Sequence, residues 1–136
     1  MLPGGGDAPK PSILGRERRW TRDETVRAAG ASPMLLSDAV SASLLPAADT
    51  YTDDAVAVLK ALVDLQRTGI EPRHLRSMRG VAEREVGLIE SALMPVSRRG
   101  DATSRAKATE MAREIAAQLE VIRSSLIRSA IGRLDA

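Results

Sequence analysis

The stretch Trp20–Leu45, WTRDETVRAAGASPMLLSDAVSASLL, decides how the rest of the chain is read. Thr21 followed by Glu24 has capping-box spacing, in which each side chain satisfies a backbone N–H that the first helical turn leaves free. Val26, Ala28 and Ala29 lie behind this cap, and Gly30 supplies a residue that takes the left-handed conformation at a helix end. Ser32-Pro33 then opens a second helix, with Ser as N-cap and Pro at the first helical position, where its missing N–H has no intrahelical partner to lose. Met34, Leu35, Leu36, Ala39 and Val40 carry that helix on toward Leu44 and Leu45. Two short helices joined by a three-residue turn have the helix-turn-helix shape.

Downstream, Pro46 to Tyr51 is too short and irregular for a helix and reads as a small loop or a two-stranded wing. Thr52-Asp53-Asp54 caps a third helix, with acids at its positive end. Its apolar positions, Val56, Val58, Leu59, Leu62, Val63 and Leu65, cover a face broad enough to be packed on two sides. Gly69 ends it. A fourth helix is expected from about Pro72 to Met94, where Pro95 blocks continuation. Gly80 and Gly87 inside it each cost about 1 kcal/mol relative to Ala, a cost that a close backbone approach or a bend would explain. Arg98-Arg99-Gly100 makes the next turn. The last helix starts near Asp101 or Thr103 and runs to about Arg133. Met111, Ala112, Ile115, Leu119, Ile122 and Leu126 recur at three- and four-residue steps along it, as in an antiparallel helical hairpin or a coiled-coil seam.

Length bears on what covers this stripe. At 1.5 Å per residue the two expected arms measure roughly 35 and 46 Å, so the second overshoots by about 10 Å. The overshoot still carries Ile127, Ala130, Ile131 and Leu134. An apolar overhang needs a cover, either the front helices or a second copy of the chain. The second copy is the favoured reading, with a homodimer interface expected over Ile115, Leu119, Ile122, Leu126, Ala130 and Ile131.

The remaining composition narrows the class. A chain of 136 residues allows one domain with a tail. Pro3, Gly4, Gly5, Gly6, Pro9 and Pro11 mark residues 1–19 as that tail or a linker, leaving 20–136 as the folded part. The tail ends in a short basic run, Arg16, Arg18 and Arg19, read as a solvated linker end, with a phosphate or partner contact as the alternative. Phe is absent, with one Trp and one Tyr, so the core comes from aliphatic residues and many Ala, which favour helices in close contact. There is no Cys and a single His, which excludes disulfides and a thiolate or His-based metal cluster. No apolar run is long enough to span a membrane and none near the start resembles a signal peptide, so a cytoplasmic protein is expected. Twenty basic residues are scattered among eighteen acidic ones, a solvated surface more than a nucleic-acid stripe.

No arrangement here suggests catalysis, and no cofactor is expected. A catalytic site needs a nucleophile with its base, paired carboxylates in a cleft, or a metal. His74 stands among arginines as an ordinary helix residue. Asp53 and Asp54 are accounted for by capping. Gly4-Gly5-Gly6 lacks the preceding strand and following Lys-Ser or Lys-Thr of a phosphate loop. Arg73, Arg76, Arg79 and Arg84 form a basic patch interleaved with Glu83, Glu85 and Glu90. Solvated ion pairs are the plainer account of it, and an anionic effector or acidic partner surface the functional one. A small-molecule effector pocket, which needs apolar walls and a few convergent polar groups, would draw on Trp20, Met34, Tyr51, His74 and Met78, the Met residues equally serving as core.

The order of these pieces resembles the winged helix-turn-helix of MerR-family transcription factors. The matching pieces are Trp20-Thr21, the Gly30-Ala31-Ser32 turn, Leu44-Leu45-Pro46 entering the wing, Tyr51-Thr52-Asp53-Asp54, and Arg67-Thr68-Gly69-Ile70-Glu71-Pro72. Gly69 to Arg76, Ala82 to Ile89, Ala112 to Ala116 and Leu126 to Ala130 further resemble the C-terminal, effector-binding and dimerisation region of actinobacterial MerR regulators, the FtsR-like group. The resemblance implies a mainly α fold: a degenerate winged helix-turn-helix with at most a tiny β wing, then a long antiparallel helical hairpin. It also implies that the chain begins in a linker, with DNA bound by a separate N-terminal domain. One departure matters. Pro33 to Leu45 holds a single charge, Asp38, where a DNA-reading helix carries cations and amides for phosphates and base edges. The unit is therefore expected to be shaped like a DNA reader without reading sequence. A stand-alone helical adaptor and a small winged-helix DNA-binding protein are the rival readings.

Overall fold

The computed structural model describes residues 18–135; the expected tail before Arg18 lies outside them. The described chain is mainly helical, with five α-helices and one two-stranded sheet, and it divides into two compact units at Arg79/Gly80.

In the first unit, β1 (Trp20–Thr21) leads directly into α1 (Arg22–Ala29). The capping box forms as the sequence implies. The Glu24 backbone N–H donates to Thr21 Oγ1 at 3.1 Å, and the Thr21 backbone N–H donates to Glu24 Oε1 at 3.0 Å. Gly30 closes α1 at φ 67°, in the left-handed region where a Cβ would be strained. Ser32 caps α2 (Pro33–Ser41), its Oγ accepting from the Leu35 N–H. The helix stops three residues short of Leu44. Ser43 takes φ 64°, and the Leu44 N–H turns back to the Ala39 carbonyl, which lets Leu45 drop into the core.

The wing also differs from a local hairpin. β2 (Thr50–Tyr51) pairs antiparallel with β1, Trp20 opposite Tyr51 and Thr21 opposite Thr50. The partner strand comes from the far side of the helix pair, so sequence proximity could not have named it. Thr52 then caps α3 (Asp53–Gln66). α3 packs against α1 and α2, and α2 also meets a short 3-10 turn at Pro72–Leu75. The core consists of Ala29, Leu35, Leu36, Ala39, Leu45, Tyr51, Ala55, Leu59 and Leu62.

The fourth helix, α4 (Ser77–Ser97), begins five residues later than expected, because Pro72–Leu75 takes the tighter 3-10 form first. It also runs past Pro95. Proline there forfeits one backbone hydrogen bond close to the helix end, where the chain loses few further bonds by continuing. Arg98 and Arg99 still bond back to Met94 and Val96 before Gly100 turns at φ 72°.

α5 (Ala102–Gly132) is capped by Asp101, whose Oδ1 accepts from the Ser104 N–H at 2.7 Å. Of the two expected reasons for the glycines of α4, close backbone approach does not hold. A Cβ at Gly87 would meet nothing within 4 Å, and one at Gly80 only the tip of Arg84, so neither position permits a close backbone approach. Within the second unit α4 and α5 come near each other at few backbone points. No helix of the described residues is long and apolar enough to cross a membrane.

Candidate functional site

The surface of α2 occupies the place of a reading helix in a helix-turn-helix. Leu35, Leu36 and Ala39 face the core, leaving Pro33, Met34, Ser37, Asp38 and Ser41 outward. That surface has no cation and one anion. A duplex phosphate meets no side chain of opposite charge on it, only the Ser37 and Ser41 hydroxyls.

Against α1 and α3, the two strands are tied by side chains from distant parts of the unit. Trp20 Nε1–H donates to Asp53 Oδ1 at 2.7 Å, and the guanidinium of Arg18 lies 3.6 Å over the Trp20 ring, within cation–π range. Arg19 donates to the Thr50 hydroxyl and carbonyl. The described members of the basic run therefore serve the sheet; Arg16 lies outside the described residues. Tyr51 is 1% exposed. Its hydroxyl donates to the Pro46 carbonyl at 2.7 Å and accepts from Arg22 Nη1 at 3.1 Å.

Of the five residues expected around an effector, Trp20 and Tyr51 are thus neighbours across a strand pair, with Tyr51 enclosed in the core. Met34 and Met78 are exposed. His74 sits in the 3-10 turn, where its Nδ1 accepts from the Glu71 N–H at 3.0 Å.

A cleft of about 210 Å3 opens elsewhere in the first unit, between the end of α2 and the 3-10 turn. Asp38, Ser41 and Ala42 line one side, and Glu71, Pro72, Arg73 and Arg76 the other. The basic patch proves to be divided. Arg73 Nε pairs with Glu71 at 3.2 Å. Arg79 Nε donates to the Ser43 carbonyl at 2.9 Å, bracing the end of α2. Arg76 has no ion-pair partner among the described residues, and neither has Asp38. Nor do Glu83, Glu85 and Glu90 neutralise the patch as expected. Glu85 turns instead to Arg123 on α5, since α5 lies within its reach.

The second unit offers a different kind of surface. Ile89, Leu93 and Val96 on α4 and Met111, Ala112, Ile115 and Leu119 on α5 are half-buried at helical spacing. Val86, Leu88, Met94, Val121, Ile122, Leu126, Ile127 and Ile131 are exposed. Of the residues expected at a dimer interface, Ile115 and Leu119 are partly covered within the chain, while Ile122, Leu126, Ala130 and Ile131 stand free.

Arg123 joins the helices through two bonds to the Glu85 carboxylate, and a third, to Glu120, lies within α5 itself. The bond from Glu85 raises the guanidinium pKa above its ordinary value. At the turn, the backbone N–H of Ser104, with its hydroxyl, holds the Asp101 carboxyl below the usual aspartate value. Among the described residues no three His, Cys, Asp or Glu side chains gather as a metal site would require.

Comparison with known proteins places this arrangement. Residues 18–135 match the family model described as Rv1828-like, C-terminal domain. Two relatives are the HTH-type transcriptional regulators Rv1828 of Mycobacterium tuberculosis and Mb1859 of Mycobacterium bovis. Each is 31% identical over 129 residues, an alignment that takes in 93% of this chain and 51% of the relative. The chain thus spans about half the length of the curated relatives it matches. The match runs from the arginine that stacks on Trp20, through the helix-turn-helix unit, to the end of the long helices, and the chain belongs to the Rv1828-like C-terminal domain family.

Proposed function

We propose that this chain is the regulatory and dimerisation part of a MerR-type transcriptional regulator that works in the cytoplasm. It has no catalytic role and leaves DNA to a separate winged helix elsewhere in the full protein. The observation that carries the dimer is in the second unit, which among the described residues fully buries no apolar side chain. A pair of helices can hide only one stripe each, and apolar surface of this extent is covered in stable proteins. Two hairpins laid face to face give a four-helix bundle, an arrangement that closes such a core. α5 is ten residues longer than α4, an excess of about 15 Å that carries Ile127 and Ile131 into the partner. The names of the relatives support a regulatory role, and the cation-free surface of α2 supports the division of labour.

In this reading, pairing of the long helices sets the spacing of two DNA-binding heads on a pseudo-palindromic site, and an effector on the first unit biases that spacing. Sedimentation equilibrium on the 136-residue chain is expected to give a dimer, and Ile122→Asp with Leu126→Asp a monomer. A gel shift with the chain alone is expected to give no tight operator binding. A wild-type monomer at high concentration refutes the dimer role, and sequence-selective duplex binding by this chain refutes the division of labour.

A further inference from the structure

The cleft between α2 and the 3-10 turn has charges of opposite sign on its two walls, and those charges are not spent on each other. Asp38 stands on the α2 side without an ion-pair partner, and Arg76 on the other side likewise. The backbone reinforces this polarity. Ser41 and Ala42 are the last residue of α2 and its C-cap, where the aligned peptide dipoles leave partial negative charge that favours a cation. The opposite wall holds Arg73 and Arg76, whose guanidinium forks suit a carboxylate. Glu71 offsets Arg73 and leaves Arg76 as the free fork.

We infer that this cleft receives a small zwitterion, a free amino acid, with its ammonium at Asp38 and the end of α2 and its carboxylate at Arg76. Size agrees. About 210 Å3 falls below the roughly 300–1,000 Å3 of sites that hold drug-sized ligands. Chemistry agrees as well. A purely anionic ligand would meet Asp38 and the helix carbonyls, and a purely cationic one would meet Arg76. Only a molecule with both charges satisfies both walls. The cleft lies against the C-terminal end of α2, the end that Arg79 braces through Ser43, so a bound ligand stiffens the helix-turn-helix unit. The inference deepens the effector part of the function proposed above. It makes no use of the dimer.

The test is an NMR titration of the 136-residue chain with a panel of free L-amino acids. Each is paired with its N-acetyl and C-amide derivatives, and acetate and phosphate serve as anion controls. At least one free amino acid is expected to move the backbone signals of residues 38–42 and 71–76, and its derivatives to lose that effect. Asp38→Asn and Arg76→Gln are each expected to weaken binding by about tenfold, as for a lost charge-assisted contact. Both residues are exposed, and circular dichroism of the variants checks that the fold survives. Silence of these signals across the panel overturns the proposal, as does an equal response to acetate or phosphate, or unchanged affinity in Asp38→Asn. Sedimentation of the same samples reads the dimer separately, so a failed titration leaves that reading standing.

Discussion

The two compact units of this chain draw on the same aliphatic residues, yet among the described residues only the first buries any of them fully. In the first, three helices and a strand pair meet around Leu36, Tyr51 and Leu59, which are almost wholly enclosed. In the second, two longer helices leave Ser104 as the one buried side chain among the described residues. Hydropathy does not separate Leu36 from Leu126; the number of elements available to surround them does. A side chain is enclosed when neighbours approach from several directions, and a lone helix pair supplies one. The first unit therefore has a core of its own, and the second has the makings of half a core.

The comparison breaks most visibly at Tyr51. Tyr51→Ala is expected to cost about 3–5 kcal/mol, as for other large-to-small core changes, and to unfold the first unit in a urea titration. Tyr51→Phe keeps the ring but removes the hydroxyl that donates to the Pro46 carbonyl and accepts from Arg22 and the Ala48 N–H, at about 1 kcal/mol. An outcome near zero for both would mean that this core is not closed around the ring.

Ile122→Asp with Leu126→Asp tests the other half. These side chains are exposed in one chain, so a self-sufficient hairpin tolerates them. A hairpin that needs a second copy loses its dimer, with a dissociation constant weakened by on the order of a hundredfold or more, and its melting temperature stops depending on concentration.

Backbone changes sharpen the contrast at smaller scale. Gly30→Ala forces a Cβ into a left-handed position with open space around it, so pure backbone strain of about 1–2 kcal/mol is expected from thermal melts. Gly87→Ala, also in open space but with helical backbone, is expected to stabilise α4 by about 1 kcal/mol.

The smallest effect is at Asp101. Its carboxyl is held below the ordinary value of 3.8, so its stabilising contribution is complete above that value and is lost as the pH falls through the lower folded value. Asp101→Asn keeps an N-cap acceptor without that acid sensitivity. Asp101→Ala frays about one turn at any pH. Helical circular dichroism between neutral pH and pH 2 distinguishes the three.

Much of the fold was legible because helix ends are local chemistry. Thr21 with Glu24, Ser32 before Pro33, Thr52 and Asp101 act within four residues of themselves; the first three are the caps their sequence implies, and Asp101 is the one of the two expected starts that caps α5. Where a boundary depended on competition, reading was poorer. Pro95 was expected to end a helix that in fact continues, because near a terminus the lost bond matters little. The effector candidates depend on long-range pairing for a related reason. Trp20 and Tyr51 are neighbours through a strand pairing across thirty residues, while the cleft gathers Asp38 with Arg76, a pair no spacing rule connects.

The sequence by itself determined where most helices are capped and where the chain turns, that the core is mostly aliphatic with Tyr51 among it, and that α2 carries no cation for a phosphate. These follow from side-chain chemistry acting over one or two turns. Only the tertiary structure decided that β1 pairs with β2, that Glu85 serves Arg123 rather than its own helix, and that Asp38 and Arg76 face one cleft unpaired. It also decided which apolar residues are covered and which stand open on the long helices. Burial and long-range pairing depend on which elements approach in space, and no local pattern encodes that.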